Sequence, residues 1–404
     1  MILKKKMKIK NSKIEFLNLG IQPFANAFLK KNEIFNKERK YRLSVCFDKK
    51  TKLVSIKKTF SSQKMFNNKY PYRSSISKTV KKTFTSLAKK IKKKIKPKKI
   101  LEIGCNDGSF LKNFNKKRTV GIEPCSNIEK ITKKKGYNTF AKYWNKNTAI
   151  KILNKFGKFD LIYSANTISH IKDLDNVFRN INLVLKDTGV LIIEDPSLME
   201  CLKKNTYDQF YNEHIYVFSF IALNNVLKKN ILEIYKVENL SIHGGSNRFY
   251  IKKKINKKKI EKSSHNQYKK EKKYGIDKIK SYYAFKKRVK KSKKKLISLF
   301  KKIKLQKKNI IGYGATAKSA TILNYCDINN YYIDYFLDTT PDKHNKYTPG
   351  TKIIIKKYEN KIENDVDYVF LGAWNFKNEI FQKEKKFIAR GGKFITHTPF
   401  PKII

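Results

Sequence analysis

Between Lys99 and Glu194 short apolar runs alternate with stretches whose apolar residues recur at helical spacing. That is the pattern of parallel strands joined by helices lying on both faces of a sheet. Strands are expected at 100–104, 120–123, 161–165 and 190–194, and two later β-like segments, 232–242 and 248–251, suit an antiparallel hairpin that closes the same sheet. After Asn309 the alternation resumes, with runs at 310–313, 333–337, 366–371 and 394–396, so a second, smaller α/β unit is expected. Ahead of the first sheet, Val80, Phe84, Leu87 and Ile91 lie at helical spacing in a basic stretch that ends near Pro97. Between the two units, residues 252–308 are dominated by Lys, yet Tyr282, Phe285, Val289, Leu296, Phe300 and Ile303 keep a helical period, which predicts one long amphipathic helix. Residues 1 to about 75 hold short mixed segments, including apolar 24–29 and the turn Tyr70-Pro71-Tyr72, as in a small lobe. The expected division is 1–76, an N-terminal lobe; 77–254, a first α/β domain; and 255–404, a second α/β domain with a basic helix.

The formal net charge of +61 points at first to a polyanionic partner, because dense Lys/Arg releases counterions from phosphate polymers. The choice of basic residue argues otherwise. Only eight of the 93 basic residues are Arg, whereas phosphate-forking and base-reading sites use the planar guanidinium. Lys decorating solvated faces, alongside abundant Asn and Ile, reads as compositional drift, so no nucleic-acid partner is expected. Five widely spaced cysteines (Cys46, Cys105, Cys125, Cys201 and Cys326) include no CxxC pair and signal neither a disulfide framework nor a zinc knuckle. A basic start, Met1-Ile2-Leu3-Lys4, leads into no apolar stretch of signal-peptide length, and no run reaches the ~20 residues of a spanning helix. A soluble, cytoplasmic protein without a membrane partner is expected, and no oligomeric state is implied.

The candidate chemistry begins at Leu101-Glu102-Ile103-Gly104-Cys105-Asn106-Asp107-Gly108, which follows one strand and opens toward a helix. Glycines there let the backbone approach a ligand, and free N–H groups can hold its carboxylate. The second strand ends about 20 residues later at Glu123, where a carboxylate can accept both ribose hydroxyls of a nucleoside. A generic dinucleotide turn is the competing reading, but the form E-x-G-x-N-x-G departs from the G-x-G-x-x-G of dehydrogenases and favours an S-adenosylmethionine-dependent methyltransferase. The cofactor candidates are Glu102, Gly104, Asn106, Asp107, Gly108, Glu123, Pro124 and Asn166, the last at the carboxyl end of the strand that begins near Asp160.

Further stretches extend the match beyond a fold: Asn166-Thr167-Ile168-Ser169-His170-Ile171, Phe210-Tyr211-Asn212-Glu213-His214, His243-Gly244-Gly245-Ser246-Asn247-Arg248, Gly312-Tyr313-Gly314-Ala315-Thr316-Ala317-Lys318, Thr348-Pro349-Gly350-Thr351 and Ala373-Trp374-Asn375. In this order they resemble the sugar C-methyltransferases that act on nucleotide-linked keto-deoxyhexoses, over nearly the whole chain. The resemblance implies class I Rossmann-like α/β architecture in the middle domain, a second Rossmann-like domain, and a sugar nucleotide bound between the two. The family's N-terminal lobe carries two CxxC pairs for zinc. Here Cys46 stands alone with Lys49 where its partner would be, so zinc is not expected, a four-coordinate site needing its full ligand set. Asn212 also departs, standing where the family has His.

His214, next to Glu213 and three residues after Tyr211, is the candidate base, with Tyr211 and His170 as hydrogen-bond donors to a developing oxyanion. The resemblance adds a substrate-facing tyrosine, Tyr70 or Tyr72. Two glycine-rich stretches could cradle a diphosphate: Gly245, Ser246 and Arg248, or Gly314 and Lys318 at a helix start. Two other functions compete with sugar methylation, namely methylation of a nucleic acid or another small molecule, and binding of a sugar nucleotide without catalysis.

Overall fold

The computed structural model describes residues 12–404, so the basic start Met1–Lys4 lies outside the described residues. The chain opens with β1 (Lys13–Pro23), β2 (Lys40–Asp48) and β3 (Val54–Ile56), followed by the single-turn helix α1 (Ser62–Met65) and the long α2 (Lys78–Lys94). The middle region then runs through β4 (Ile100–Ile103), β5 (Thr119–Ile122), α3 (Ser126–Lys134), β6 (Asn138–Phe140), α4 (Lys146–Phe156), β7 (Phe159–Ala165), α5 (Leu174–Val184) and β8 (Leu185–Pro196). It continues with α6 (Leu198–Lys203), β9 (Tyr216–Val217), α7 (Phe220–Lys229), β10 (Leu232–Leu240) and β11 (Ser246–Lys253). The seven-stranded sheet has the order β10-β11-β8-β7-β4-β5-β6. Its first five strands in chain order (β4 to β8) are parallel, and the β10–β11 hairpin pairs antiparallel with β8, as the apolar pattern predicts. Buried Ile, Leu, Val and Phe from β4, β7 and β8 fill both faces of this sheet, which lie in two separate apolar clusters.

The Lys-rich stretch is two helices, α8 (Lys262–Tyr274) and α9 (Ile279–Leu305), rather than the one that periodicity predicts. Gly275 makes the break, taking a left-handed conformation (φ +81°) while its N–H caps α8 on the Glu271 carbonyl. A non-glycine residue would adopt that conformation at a cost. The predicted stripe Tyr282, Phe285, Val289, Leu296, Phe300 and Ile303 is the buried face of α9. Beyond it come β12 (Ile310–Tyr313), α10 (Ala317–Cys326), β13 (Tyr335–Asp338), β14 (Ile354–Lys357), β15 (Tyr368–Leu371), α11 (Lys377–Lys383), α12 (Lys385–Ala389), β16 (Lys393–Thr396) and β17 (Lys402–Ile403), which form a six-stranded sheet ordered β14-β13-β12-β15-β16-β17.

The N-terminal sheet, order β1-β2-β3-β9, recruits its last strand from residues 216–217 in the middle of the chain. Its apolar face does not close on itself. Phe16 and Phe47 pack on Tyr282 of α9 (4.9 and 4.7 Å between ring centroids), in one cluster with Phe285 and Phe336. The small lobe thus buries its hydrophobic face against the C-terminal region, as a single sheet with one apolar face must. Cys46 lies buried within this sheet, and among the described residues no three His, Cys, Asp or Glu side chains are grouped to hold a metal ion. No helix among the described residues is long and apolar enough to cross a membrane.

Candidate active site

Two cavities open at the carboxyl ends of the parallel strands, where open α/β sheets bind ligands. Glu102, Gly104, Asn106, Glu123, Pro124 and Asn166 line the first, together with Phe66, Tyr143 and Trp144. Gly104 turns the chain out of β4 with φ +78°, and a Cβ there would fall 2.0 Å from the Thr167 hydroxyl, so only glycine fits. Glu123 is gripped through both oxygens, Oε2 accepting the Asn106 amide (3.0 Å) and Oε1 the Cys125 amide (2.9 Å). Burial raises its pKa and the amide bonds oppose that rise. Glu102 Oε2 is buried without a hydrogen-bond partner, and burial followed by Asp107 and Glu123 holds its carboxyl well above the usual range. An unmet acceptor beside a glycine cradle and a carboxylate at the second strand end suits the amino-acid and ribose parts of S-adenosylmethionine.

Two of the expected cofactor residues stand behind this wall. Asp107 binds Ser109 Oγ (2.6 Å) and the Ser75 amide (3.0 Å), and Gly108 is pressed on Thr132, where a Cβ would come within 2.7 Å. They shape the loop rather than face the cavity.

The second cavity lies between the seven-stranded sheet and the C-terminal six-stranded sheet. Tyr70, Tyr72, Asn166 and His170 line both cavities, and Tyr211, His214, Gly314 and Lys318 line the second alone. His214 Nδ1 sits 2.8 Å from the Gln209 carbonyl and so carries the hydrogen, which leaves the Nε2 lone pair to accept the Tyr211 hydroxyl at 2.7 Å. Burial, then His170 and Lys318, push the His214 pKa well below its ordinary value, so the ring is neutral. The His170 ring stacks on Phe66 and lies 5.0 Å from that of His214; its Nε2 is buried without a partner, and burial takes its pKa down to about 4. Glu213 does not touch the His214 ring. It accepts Asn26 Nδ2 (2.7 Å) and the Tyr70 hydroxyl (3.0 Å), and burial raises its pKa to about 7. Asn212, the departure from the family pattern, accepts the Ala25 amide through Oδ1 (2.9 Å) and so holds the N-terminal lobe to this segment.

The two glycine-rich stretches differ sharply. Arg248 is buried on β11 and bound to Glu194 (2.7 Å) and Glu238 (2.8 Å), and Ser246 Oγ donates to the Ile242 carbonyl. Gly245 backs onto Glu200 and Gly244 onto Trp374, where a Cβ would meet the ring at 2.3 Å. The expected cradle at Gly245, Ser246 and Arg248 is therefore corrected: packing and ion pairing consume it, and none of the three lines either cavity. Gly314 and Lys318 do line the second, with the Lys318 ammonium 5.3 Å from the Trp374 ring centroid.

Sequence reading missed His243, which lines the second cavity with a left-handed backbone (φ +53°) although it heads the recognised glycine stretch. It also missed Asp338. That residue ends β13 and takes the Ala315 and Thr340 amides (2.9 and 2.8 Å), the counterpart in the second unit of Glu123 in the first. The shared strand-end position was the available signal.

Residues 72–237 match the methyltransferase domain family, and residues 241–399 match the C-methyltransferase C-terminal domain. The chain is 28% identical over 307 residues to the C-methyltransferase NovU of Streptomyces niveus, which covers 76% of this chain and 73% of that protein. It is 27% identical over 162 residues to a malonyl-[acyl-carrier protein] O-methyltransferase of Legionella pneumophila, 37% of this chain and 56% of that one. Among solved structures, a SAM-dependent methyltransferase of Thermotoga maritima is 19% identical with a TM-score of 0.32, covering 41% of this chain and 88% of the other, a likeness too slight to carry weight. With these two domains in succession and the cofactor cradle built as described, the chain is an S-adenosylmethionine-dependent methyltransferase that carries a C-methyltransferase C-terminal domain.

Proposed function

We propose that the protein methylates a carbon next to the carbonyl of a nucleotide-linked keto-deoxysugar, with residues 77–254 serving the cofactor and residues 255–404 the substrate. The observation that carries this reading is the pair of cavities that meet at Tyr70, Tyr72, Asn166 and His170, the second reaching across to Gly314 and Lys318. A donor methyl and a long, anionic acceptor can meet at that shared wall. Lys318, in the first turn of α10, would hold the diphosphate, since a desolvated ammonium and a helix N-terminus both favour an anion.

A sugar carbon becomes a nucleophile only after losing a proton whose charge the neighbouring carbonyl can take up. His214 is the base. The carbon-bound proton passes to the Tyr211 oxygen as the Tyr211 proton passes to His214 Nε2, giving an imidazolium and an enolate. His170 Nε2, unpartnered at the shared wall, would donate to the enolate oxygen, an interaction that commonly contributes several kcal/mol. Glu213 fixes the Tyr70 hydroxyl, and Tyr70 and Tyr72 screen the reacting carbon from water. The cofactor supplies an electrophilic methyl on a sulfonium centre. His214 then gives its proton to solvent as the methylated sugar departs.

Mass spectrometry after incubation with methyl-labelled cofactor and a panel of nucleotide 4-keto sugars tests the reading. One labelled methyl on a sugar carbon is expected. Transfer only to nucleic acid, or to none of the panel, overturns it.

A further inference from the structure

Residues 70–76 cross both cavities, yet apart from the single 3₁₀ turn Ser74–Ile76 they have no regular structure, so side chains from other elements set their place. Asn127 of α3 donates from Nδ2 to the Tyr70 carbonyl (3.0 Å). Asn106 binds twice, donating to the Tyr72 carbonyl (3.2 Å) and accepting the Ser74 amide (2.9 Å). Asp107 accepts the Ser75 amide (3.0 Å). All three gripping residues lie in the loop after β4 or on the helix after β5, the cofactor side of the site. At the far edge Arg73 pairs with Asp342 (2.8 Å) of the C-terminal region.

Asn106 also donates its own amide to Glu123 Oε2 (3.0 Å), and Glu123 faces the cofactor cavity, so one residue joins the ribose acceptor to the backbone of 70–76. Tyr70, Tyr72 and Ser74 themselves form part of the cofactor wall. A ligand that fixes Glu123 and packs on those three side chains stabilises the segment in this place, and the effect is reciprocal.

We propose that residues 70–76 are a positioning strap, tied by Asn106, Asp107 and Asn127, through which an occupied cofactor pocket sets Tyr70 and Tyr72 against the substrate. Asn127 is the least expected member. It lies on neither cavity, and it acts only through the Tyr70 backbone. The proposal rests on the reading of Tyr70 and Tyr72 as substrate-facing, and it adds that an occupied cofactor pocket favours the placement of both side chains on the substrate side.

Hydrogen exchange read by mass spectrometry on the full chain, with and without saturating S-adenosylhomocysteine, tests the strap without any sugar, so its outcome is separable from that of the substrate panel. In the parent the nucleoside is expected to slow exchange in 70–76 by about tenfold or more, as a local opening is closed. In Asn127→Ala that protection shrinks to about threefold or less. Residues 104–108 should keep their parental response, which reports occupancy, and β12 its parental exchange, which reports an intact fold. A merely structural role for Asn127 would move those two regions as well. Asn127→Asp keeps the size and loses the donor, and it gives the same result if the alanine variant does not fold. Arg73→Ala, which frees only the far edge, keeps the parental protection. A parental strap that exchanges alike with and without the nucleoside, or an Asn127 variant that keeps full protection, overturns the proposal.

Discussion

His214 and Glu213 are adjacent in sequence and point to different partners, and each yields a prediction of its own. His214 has its Nδ1 hydrogen spoken for by Gln209 and its Nε2 lone pair turned to Tyr211, so in the proposed role of base it needs no change of tautomer. His214→Ala should leave S-adenosylmethionine binding intact while exchange of the substrate α-proton with deuterated water, cofactor omitted, falls by about a hundredfold or more. Exchange at the parental rate would transfer the role of base to Tyr70, Tyr72 or His170. For Glu213, burial raises the carboxyl from 4.5 to about 7 against the pull of Asn26 and Tyr70. The folded protein then holds a proton that the unfolded chain has lost between those two values, and Glu213 removes stability as pH rises through that window. Glu213→Gln has no such term. Its melting temperature relative to the parent should climb from pH about 4.5 to about 7 and level off above, and a relative fall in differential scanning calorimetry would contradict the buried, proton-holding carboxyl.

At the scale of elements, what was legible in the sequence was what is local. The stripe on α9 shows its buried face because none of the Lys residues between its apolar positions is buried, and the loop after β4 shows itself through glycines and Glu123, all close in sequence. Short elements went unread: β14 and β17 are edge strands, one half Lys and the other exposed, and β6 has one buried residue in three. The same limit applied at the site. Whether Gly245 or Gly314 faces a ligand depends on Trp374 and Glu200, which come from other elements and occupy the space beside Gly244 and Gly245. Asn127 and Asn26 act through partners 57 and 187 positions away, which no local pattern encodes. The α9 stripe is also where the N-terminal and C-terminal sheets share a core, so its loss should be felt by the whole chain. Phe285→Ala should cost about 3–5 kcal/mol in denaturant unfolding, the price of an aromatic-sized cavity. Tyr283→Ala, on the exposed side of the same helix, should change stability by about 0.5 kcal/mol or less. Equal effects would mean that α9 does not bury the stripe.

For the molecule as a whole the charge of +61 is the feature most open to two readings, and the fold sharpens the choice. Several of the 32 acidic residues work inside: Glu271 caps α7 through the Phe220 and Ile221 amides, Glu194 and Glu238 hold Arg248, and Asp208 takes the Trp374 indole. The exterior is left more cationic than the composition states. Such a surface attracts polyanions from a distance whether or not it evolved to bind them, and salt distinguishes attraction from recognition. A nucleic-acid substrate neutralising six to ten phosphates would lose about 10³–10⁵ in affinity between 50 and 200 mM salt. On the proposed function, a nucleotide sugar would present one diphosphate at Lys318, within the second cavity, where screening acts weakly. The kcat/KM for the sugar nucleotide should therefore fall by less than about tenfold over that range, while any binding of RNA or DNA to the same protein collapses. Methyl transfer that declines with salt as steeply as nucleic-acid binding would make the lysine-covered surface part of the substrate site. The second cavity would then have been assigned to the wrong molecule.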